Sequence, residues 1–190
     1  MAGASPRVAV VALFEGPLAR RLERWRRTYD PAGAYGMPPY IPLVSPTACQ
    51  TPLTGSGGLE RYLWRLCHVR PPIEIELLDL ATTYPEGRLV YAEIGVGARE
   101  LEDLSTALRS GPLEGGPAPG GPPRLVIAEP ENEDEAQRAA AQLVGLPVRI
   151  TRLIDRVHLL VAYPNGSWYE RDFFTLDGTY ASRFRARVRP

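Results

Sequence analysis

Few side chains in this chain can move a proton near neutral pH. There are two histidines, His68 and His158, and two cysteines, Cys49 and Cys67. Lysine is absent, so all 22 basic residues are arginine. That removes Schiff-base lysines, the lysine of phosphate-binding loops and any lysine general base. No CxxC, HExxH or GxSxG pattern occurs. The sequence therefore offers no zinc site and no serine nucleophile on a strand–helix elbow, and neither a metal nor a cofactor is expected. His68 falls at the end of a predicted helix, where a histidine commonly satisfies terminal carbonyls. His158 alternates with Val157 and Leu159 and reads as a surface or hydrogen-bonded strand residue. A substitute catalytic pair made of the two histidines is the competing reading. Both cysteines read as small, partly buried, reduced residues.

Anion-binding chemistry has more candidates. Arg20, Arg21, Arg24, Arg26 and Arg27 make one helix basic, and Arg183, Arg185, Arg187 and Arg189 alternate through the tail. Net charge is zero, with 22 basic and 22 acidic residues, but it is segregated. Residues 1–70 carry nine Arg against four acids, 71–135 four against fourteen, and 136–190 nine against four. Two basic segments that met in space would track a phosphate backbone, with Arg20, Arg24 and Arg27 as its contacts. A solvated helix face and a disordered end are the plainer account. Thr54-Gly55-Ser56-Gly57-Gly58 precedes a helix and would expose backbone N–H groups to an anion, or serve simply as a glycine-rich helix start. Its spacing matches no nucleotide-binding loop.

The elements that must position these groups follow from the apolar periods. Val8–Phe14 reads as a buried strand, and Leu18, Leu22 and Trp25 as a helix closed by Pro31. Tyr40–Val44 is a strand led by Pro38-Pro39. Leu59, Leu63 and Leu66 mark a helix, and Ile73, Ile75 and Leu77 a strand with one wet face. After the turn Pro85-Glu86-Gly87 a strand returns over Leu89–Val96. Leu101, Leu104 and Leu108 mark the next helix. Gly111–Pro123 holds five Gly and five Pro in thirteen positions and reads as a loop without helix or strand. It is a lid over the following strand or a tolerated insertion. Arg124–Ala128 reads as a strand and Glu131–Val144 as a helix with acids in its first turn. Val157–Tyr163 and Trp168–Leu176 form a hairpin around Pro164-Asn165-Gly166.

The order repeats. Arg7-Val8-Ala9-Val10 and Arg88-Leu89-Val90-Tyr91 open equivalent strands 81 residues apart, and the Pro-Pro starts at Pro38 and Pro122 lie 84 apart. The chain thus reads as one domain over 1–190, with pseudo-repeats at about 7–80 and 88–177 and a basic tail at 178–190. The hairpins favour an α+β fold of two pseudo-symmetric lobes of antiparallel-rich sheet with flanking helices. The apolar run at Val8–Phe14 is too short to span a membrane and lacks a cleavage pattern, so a cytoplasmic location is expected.

On these Pro-Pro strand starts, on the hairpins and on the closing segment Val157–Leu176, the chain resembles the two-histidine (2H) phosphoesterases, or 2′-5′ RNA ligase-like proteins, over roughly residues 7 to 177. In that family each lobe carries a His-x-Thr/Ser motif on one strand, and both motifs point into a shared cleft. At the matched positions this chain has Tyr40-Ile41-Pro42 and Arg124-Leu125-Val126. Both imidazoles and both hydroxyls are replaced. The resemblance therefore implies a cleft lined by Tyr40, Pro42, Arg124 and Val126 that binds RNA ends or a phosphorylated small molecule without turnover. Arg124 would hold a phosphate and Tyr40 would stack on a base. Two further readings stay open. One is a protein-interaction or structural module, a homodimer included, with a vestigial cleft. The other is an active cyclic-phosphate phosphodiesterase or RNA ligase-like enzyme that uses other residues.

Overall fold

The computed structural model describes residues 5–31 and 37–178. The strands are β1 (Arg7–Leu13), β2 (Tyr40–Ala48), β3 (Ile73–Thr82), β4 (Val90–Ile94), β5 (Arg124–Ala128), β6 (Pro147–Ile154), β7 (Arg156–Ala162) and β8 (Trp168–Thr175). The helices are α1 (Gly16–Tyr29), α2 (Leu59–His68), α3 (Ala98–Leu108) and α4 (Glu133–Leu143). All eight strands join one antiparallel sheet in the order β6-β3-β4-β5-β2-β1-β7-β8. The fold is α+β, as the sequence reading expects.

One wing of the sheet holds β2, β1, β7 and β8; the other holds β5, β4, β3 and β6. The wings do not coincide with the halves 7–80 and 88–177, because β3 pairs with β4 and β6. The sequence reading contains no strand at 147–154. There β6 closes the second strand–helix–strand–helix–strand series, ahead of the β7–β8 hairpin. The run Pro147–Ile154 escapes notice because Arg149, Thr151, Arg152 and Leu153 are exposed and only Val148 and Ile154 are buried.

The wings meet at β2 and β5 through one registered pair, Tyr40 with Val126. Pro42, just beyond it, has no N–H to extend a ladder. The sheet is also curled. Ile154 ends β6 and Arg156 begins β7, so Asp155 alone links strands six places apart in sheet order. A flat sheet would separate them by about 29 Å, whereas one linking residue bridges at most about 7.6 Å. The same corner is tied by Leu176 N–H donating to Asp155 O at 2.8 Å and Gly178 N–H to Arg70 O at 2.9 Å.

Alternation along the strands divides the two faces of the sheet. Ile41, Leu43, Leu125, Ile127, Val157 and Leu159 pack with Leu22, Leu63, Leu104 and Leu143 of the helices in one core. The opposite face holds a smaller cluster of Ala9, Val11, Met37 and Leu160, flanked by Leu13, Tyr40 and Trp168. Both faces of β1 are covered, which explains its unbroken apolar run Val8–Ala12. Gly97 caps α3 at φ +82°, where a Cβ would lie 2.3 Å from Glu74 O, so the turn admits only glycine. The Gly/Pro segment departs from its expected form in one respect. Gly111–Leu113 forms a 3-10 turn that buries Leu113.

One buried polar contact sets the height of β2 against the helix layer. Ser105 Oγ of α3 donates to Leu43 O at 2.6 Å. Ser105→Ala leaves that carbonyl without its side-chain donor and is expected to cost about 1–3 kcal/mol. Urea denaturation with an unchanged m-value would show it; an unchanged midpoint would refute it.

Candidate functional site

The face away from most of the helices carries a groove on both sides of the β2–β5 junction, reaching at one end the C-terminal turn of α1. Tyr40 and Pro42 of β2 and Arg124 and Val126 of β5 all line one cavity of about 650 Å³. Thr83, Glu86, Gly87, Arg88 and Leu89 of the β3–β4 turn form its wall, and Pro119, Gly120 and Pro122 its rim. A second cavity of about 450 Å³ shares Tyr40, Pro46, Val126 and Glu129 with the first. It extends to Arg26, Asp30, Met37, Glu131, Gly166 and Trp168. The two are one groove, divided at Tyr40.

Each matched position reaches this groove because its odd-numbered or even-numbered neighbours face the core. Ile41 and Leu43 are buried under the helices, so Tyr40 and Pro42 face outward; Leu125 and Ile127 do the same for Arg124 and Val126. The Arg124 guanidinium sits 5.0 Å from the Tyr91 ring centroid on the neighbouring strand. Its Nη2 donates to Gly120 O at 2.6 Å. The Gly/Pro segment therefore lies against β5, fastened by Arg124.

Tyr40 is mostly buried, and burial raises its pKa above the ordinary phenol value, partly offset by the charge of Arg26. Deep in the same cavity Arg26 is buried near Asp30; burial lowers its pKa, and Asp30 acts in the opposite direction. Asp30 Oδ2 accepts the Glu129 N–H at 3.0 Å, which pins the end of α1 to the end of β5. Sequence reasoning placed Arg26 only among the arginines of a basic helix face. It missed Asp30, Glu129, Glu131 and Trp168 altogether. The 3.6-residue spacing of Leu18, Leu22 and Arg26 was the available signal for Arg26, since it puts that arginine on the buried stripe.

The other arginine candidates do not join the groove. Arg20, Arg24 and Arg27 lie exposed on α1, and Arg27 pairs with Glu23 at 3.3 Å. None of the three lines either cavity. The tail arginines Arg183, Arg185, Arg187 and Arg189 fall outside the described residues. The glycine-rich start of α2 has a packing role: a Cβ on Gly58 would lie 2.3 Å from Thr54 O.

The histidines lie apart, on opposite faces of the sheet. His68 ends α2 in the helix layer, stacks on Trp64 at 5.0 Å, and its Nδ1 lies 2.8 Å from Asp177 Oδ2 rather than capping carbonyls alone. His158 is on the groove face, in the row Pro42–Val11–His158 across β2, β1 and β7. That row sets it about 10 Å from Pro42. It is 6% exposed, not a surface residue, and its Nδ1 lies 3.4 Å from Glu170 Oε2 without hydrogen-bond geometry. It lines a separate cavity of about 230 Å³ with Glu15, Arg152, Asp155 and Arg156. Cys67 is fully buried, and burial pushes its thiol up to about 12. Among the described residues no three His, Cys, Asp or Glu groups are placed to hold a metal ion, and no helix is long and apolar enough to cross a membrane.

Comparison with known proteins agrees with this architecture. No family model matches the sequence. A Bacillus licheniformis protein named "Putative phosphoesterase" is 27% identical over 152 residues, covering 80% of this chain and 88% of the relative. A Geobacillus thermodenitrificans protein with the same name is 29% identical over 157 residues, covering 81% and 87%. The E. coli LigT apo structure superposes with a TM-score of 0.60 at 14% identity, over 92% of this chain and 99% of LigT. A Thermus thermophilus structure gives 0.60 at 12% identity, over 90% and 97%. The fold is thus of the LigT type, and the chain is similar along most of its length to proteins named phosphoesterases. The resemblance to the two-histidine phosphoesterases drawn from the sequence is borne out.

Burial of Tyr40 has a measurable consequence. With its folded-state pKa above the unfolded value, its contribution to stability is full below about pH 10 and falls as pH rises through the folded pKa. Ultraviolet titration should show Tyr40 ionising after the exposed tyrosines, and Tyr40→Phe should remove a late-titrating phenol. Loss of an early one instead would show that the ring is open to water.

Proposed function

We propose that the chain is a LigT-like protein that binds a phosphorylated ligand, an RNA end or a small molecule, in this groove without turning it over. The observation that carries the reading is the pair Tyr40 and Arg124 facing one cavity at the two positions matched to the family's histidines. Acid–base catalysis of phosphoester cleavage needs one group to take a proton and another to return it near neutral pH. A buried phenol with a raised pKa is a poor base, and a guanidinium does not release its proton in that range. Positioned acid–base groups each contribute typically about 10²–10⁴-fold to rate. Pro42 and Val126 also lack the hydroxyls that would hold phosphate oxygens.

Binding is a different matter. A guanidinium carries five N–H donors, and Gly120 O takes one of those of Arg124. Its planar fork suits a phosphate, and the Tyr91 ring supports it from one face. LigT has been crystallised with NADP+, with ATP, with 3′-AMP and with phosphate, which supports a phosphorylated ligand for a groove of this shape. The contact with Gly120 favours a second reading, an interaction module whose groove the Gly/Pro segment keeps closed.

Two measurements separate these readings. Calorimetric titration with 3′-AMP should show binding that Arg124→Ala weakens about tenfold or more, the size of one charge-assisted contact. Absence of binding to 3′-AMP and to a short RNA with a terminal phosphate would leave the interaction module. A 2′,3′-cyclic nucleotide should pass through the wild-type protein unhydrolysed. The combined variant Tyr40→His, Pro42→Thr, Arg124→His and Val126→Thr should open it. Hydrolysis by the wild type would overturn the non-catalytic reading.

A further inference from the structure

The charge along the groove is polarised. At the Arg124 end, Arg124 and Arg88 stand against Glu86, and Glu129 lies where this cavity meets the next. At the other end Asp30, Glu129 and Glu131 stand against Arg26. Arg124 and Glu129 are five residues apart along extended chain, about 16 Å. Between them the floor is Val126, with Tyr40 across the junction and Trp168 and Met37 beyond it. A ligand whose phosphate sits at Arg124 would therefore lay its body along an apolar and aromatic floor and end among carboxylates.

We propose that the acidic end of the groove selects a phosphorylated small molecule whose far end presents hydrogen-bond donors, above all an amino group, and rejects a continuing RNA strand. This inference rests on the phosphate reading of Arg124 and adds what the remainder of the ligand must be. Carboxylates accept hydrogen bonds and cannot donate them, so Glu129 and Glu131 pair with N–H or O–H groups and repel acceptor-rich ones. A second phosphate placed there would meet like charges in a partly enclosed space, where repulsion is stronger than in water. Arg26 does not reverse this balance, since Asp30 lies beside it and Glu129 and Glu131 outnumber what remains. The Trp168 and Tyr40 rings, on the β7–β8 and β2 sides of the cavity, suit a planar body such as a nucleobase.

The test is calorimetric titration of the full chain with three probes: adenosine 3′-monophosphate, purine riboside 3′-monophosphate and an adenylate hexamer with a 3′-phosphate. The two monophosphates differ in the amino group of the base. The adenosine compound should bind about tenfold more tightly than the purine riboside compound, the worth of one hydrogen bond to a charged acceptor. The hexamer should bind more weakly than either. In Glu129→Gln combined with Glu131→Gln, the preference between monophosphates should fall to within about twofold and the hexamer should gain affinity. Both glutamates are exposed, so the variant should unfold at the wild-type temperature, which is the control for folding. Equal affinity for the two monophosphates, or a hexamer that binds the wild type best, overturns the inference. Adenosine monophosphate binding that is insensitive to Arg124→Ala overturns the phosphate reading instead. No binding of any probe overturns both.

Discussion

The junction between β2 and β5 is the constraint on which the rest of the structure depends. Two four-stranded wings are held side by side by one registered pair, Tyr40 opposite Val126, and by the helix-side core beneath it. Both matched segments lie at this junction, so whatever faces outward there faces across a single strand spacing of about 4.8 Å. The junction is also where the chain spends two prolines, Pro42 and Pro46, inside a strand. Proline in the interior of a sheet removes ladder donors, so the wings are held mainly by apolar packing of Ile41, Leu43, Leu125 and Ile127. The bond from Ser105 to Leu43 O then has an evident role, because it anchors β2 from below where the ladder beside it is short.

With imidazoles at the two outward positions, such a junction would place an acid and a base on either side of a scissile bond. With Tyr40 and Arg124 it places a hydrophobic ring and a fixed cation there. The neighbouring residues fit that pair. Arg124 leans on Tyr91 and ties down Gly120, which makes the Gly/Pro segment part of the groove rim. Tyr40 rests beside the apolar cluster of Ala9, Val11, Met37 and Leu160. Tyr40 and Arg124 are each integrated into the packing around the junction.

Much of this was legible in the sequence, and for a definite reason. A strand has period two, so once Tyr40–Val44 and Arg124–Ala128 are recognised as strands with buried Ile41, Leu43, Leu125 and Ile127, the outward residues are fixed. The hairpins at Pro85-Glu86-Gly87 and Pro164-Asn165-Gly166 were equally readable from their turn residues. The acidic end of the groove was not. Asp30, Glu129 and Trp168 come from three distant segments, and only the tertiary fold brings them together. Arg26 was hidden among four neighbouring arginines, because composition suggests a basic face while burial depends on which of the five falls on the apolar stripe. The strand β6 was obscured because an edge strand needs few buried side chains.

The placement of the two histidines follows from the same sheet. His158 shares the groove face with Tyr40, yet β1 lies between, and Val11 and Leu160 cover the space that a ligand would have to cross. The curl of the sheet at Asp155 gives His158 its own small cavity with Glu15 and Arg156. His68 is on the helix layer and engaged with Asp177 and Trp64. A proton relay from His158 to a phosphate at Arg124 would run across β1 on the groove face, over the buried apolar side chains of Val11 and Leu160. Apolar side chains carry no exchangeable proton, and His68 lies on the other side of the sheet, so the fold sets both imidazoles apart from Arg124.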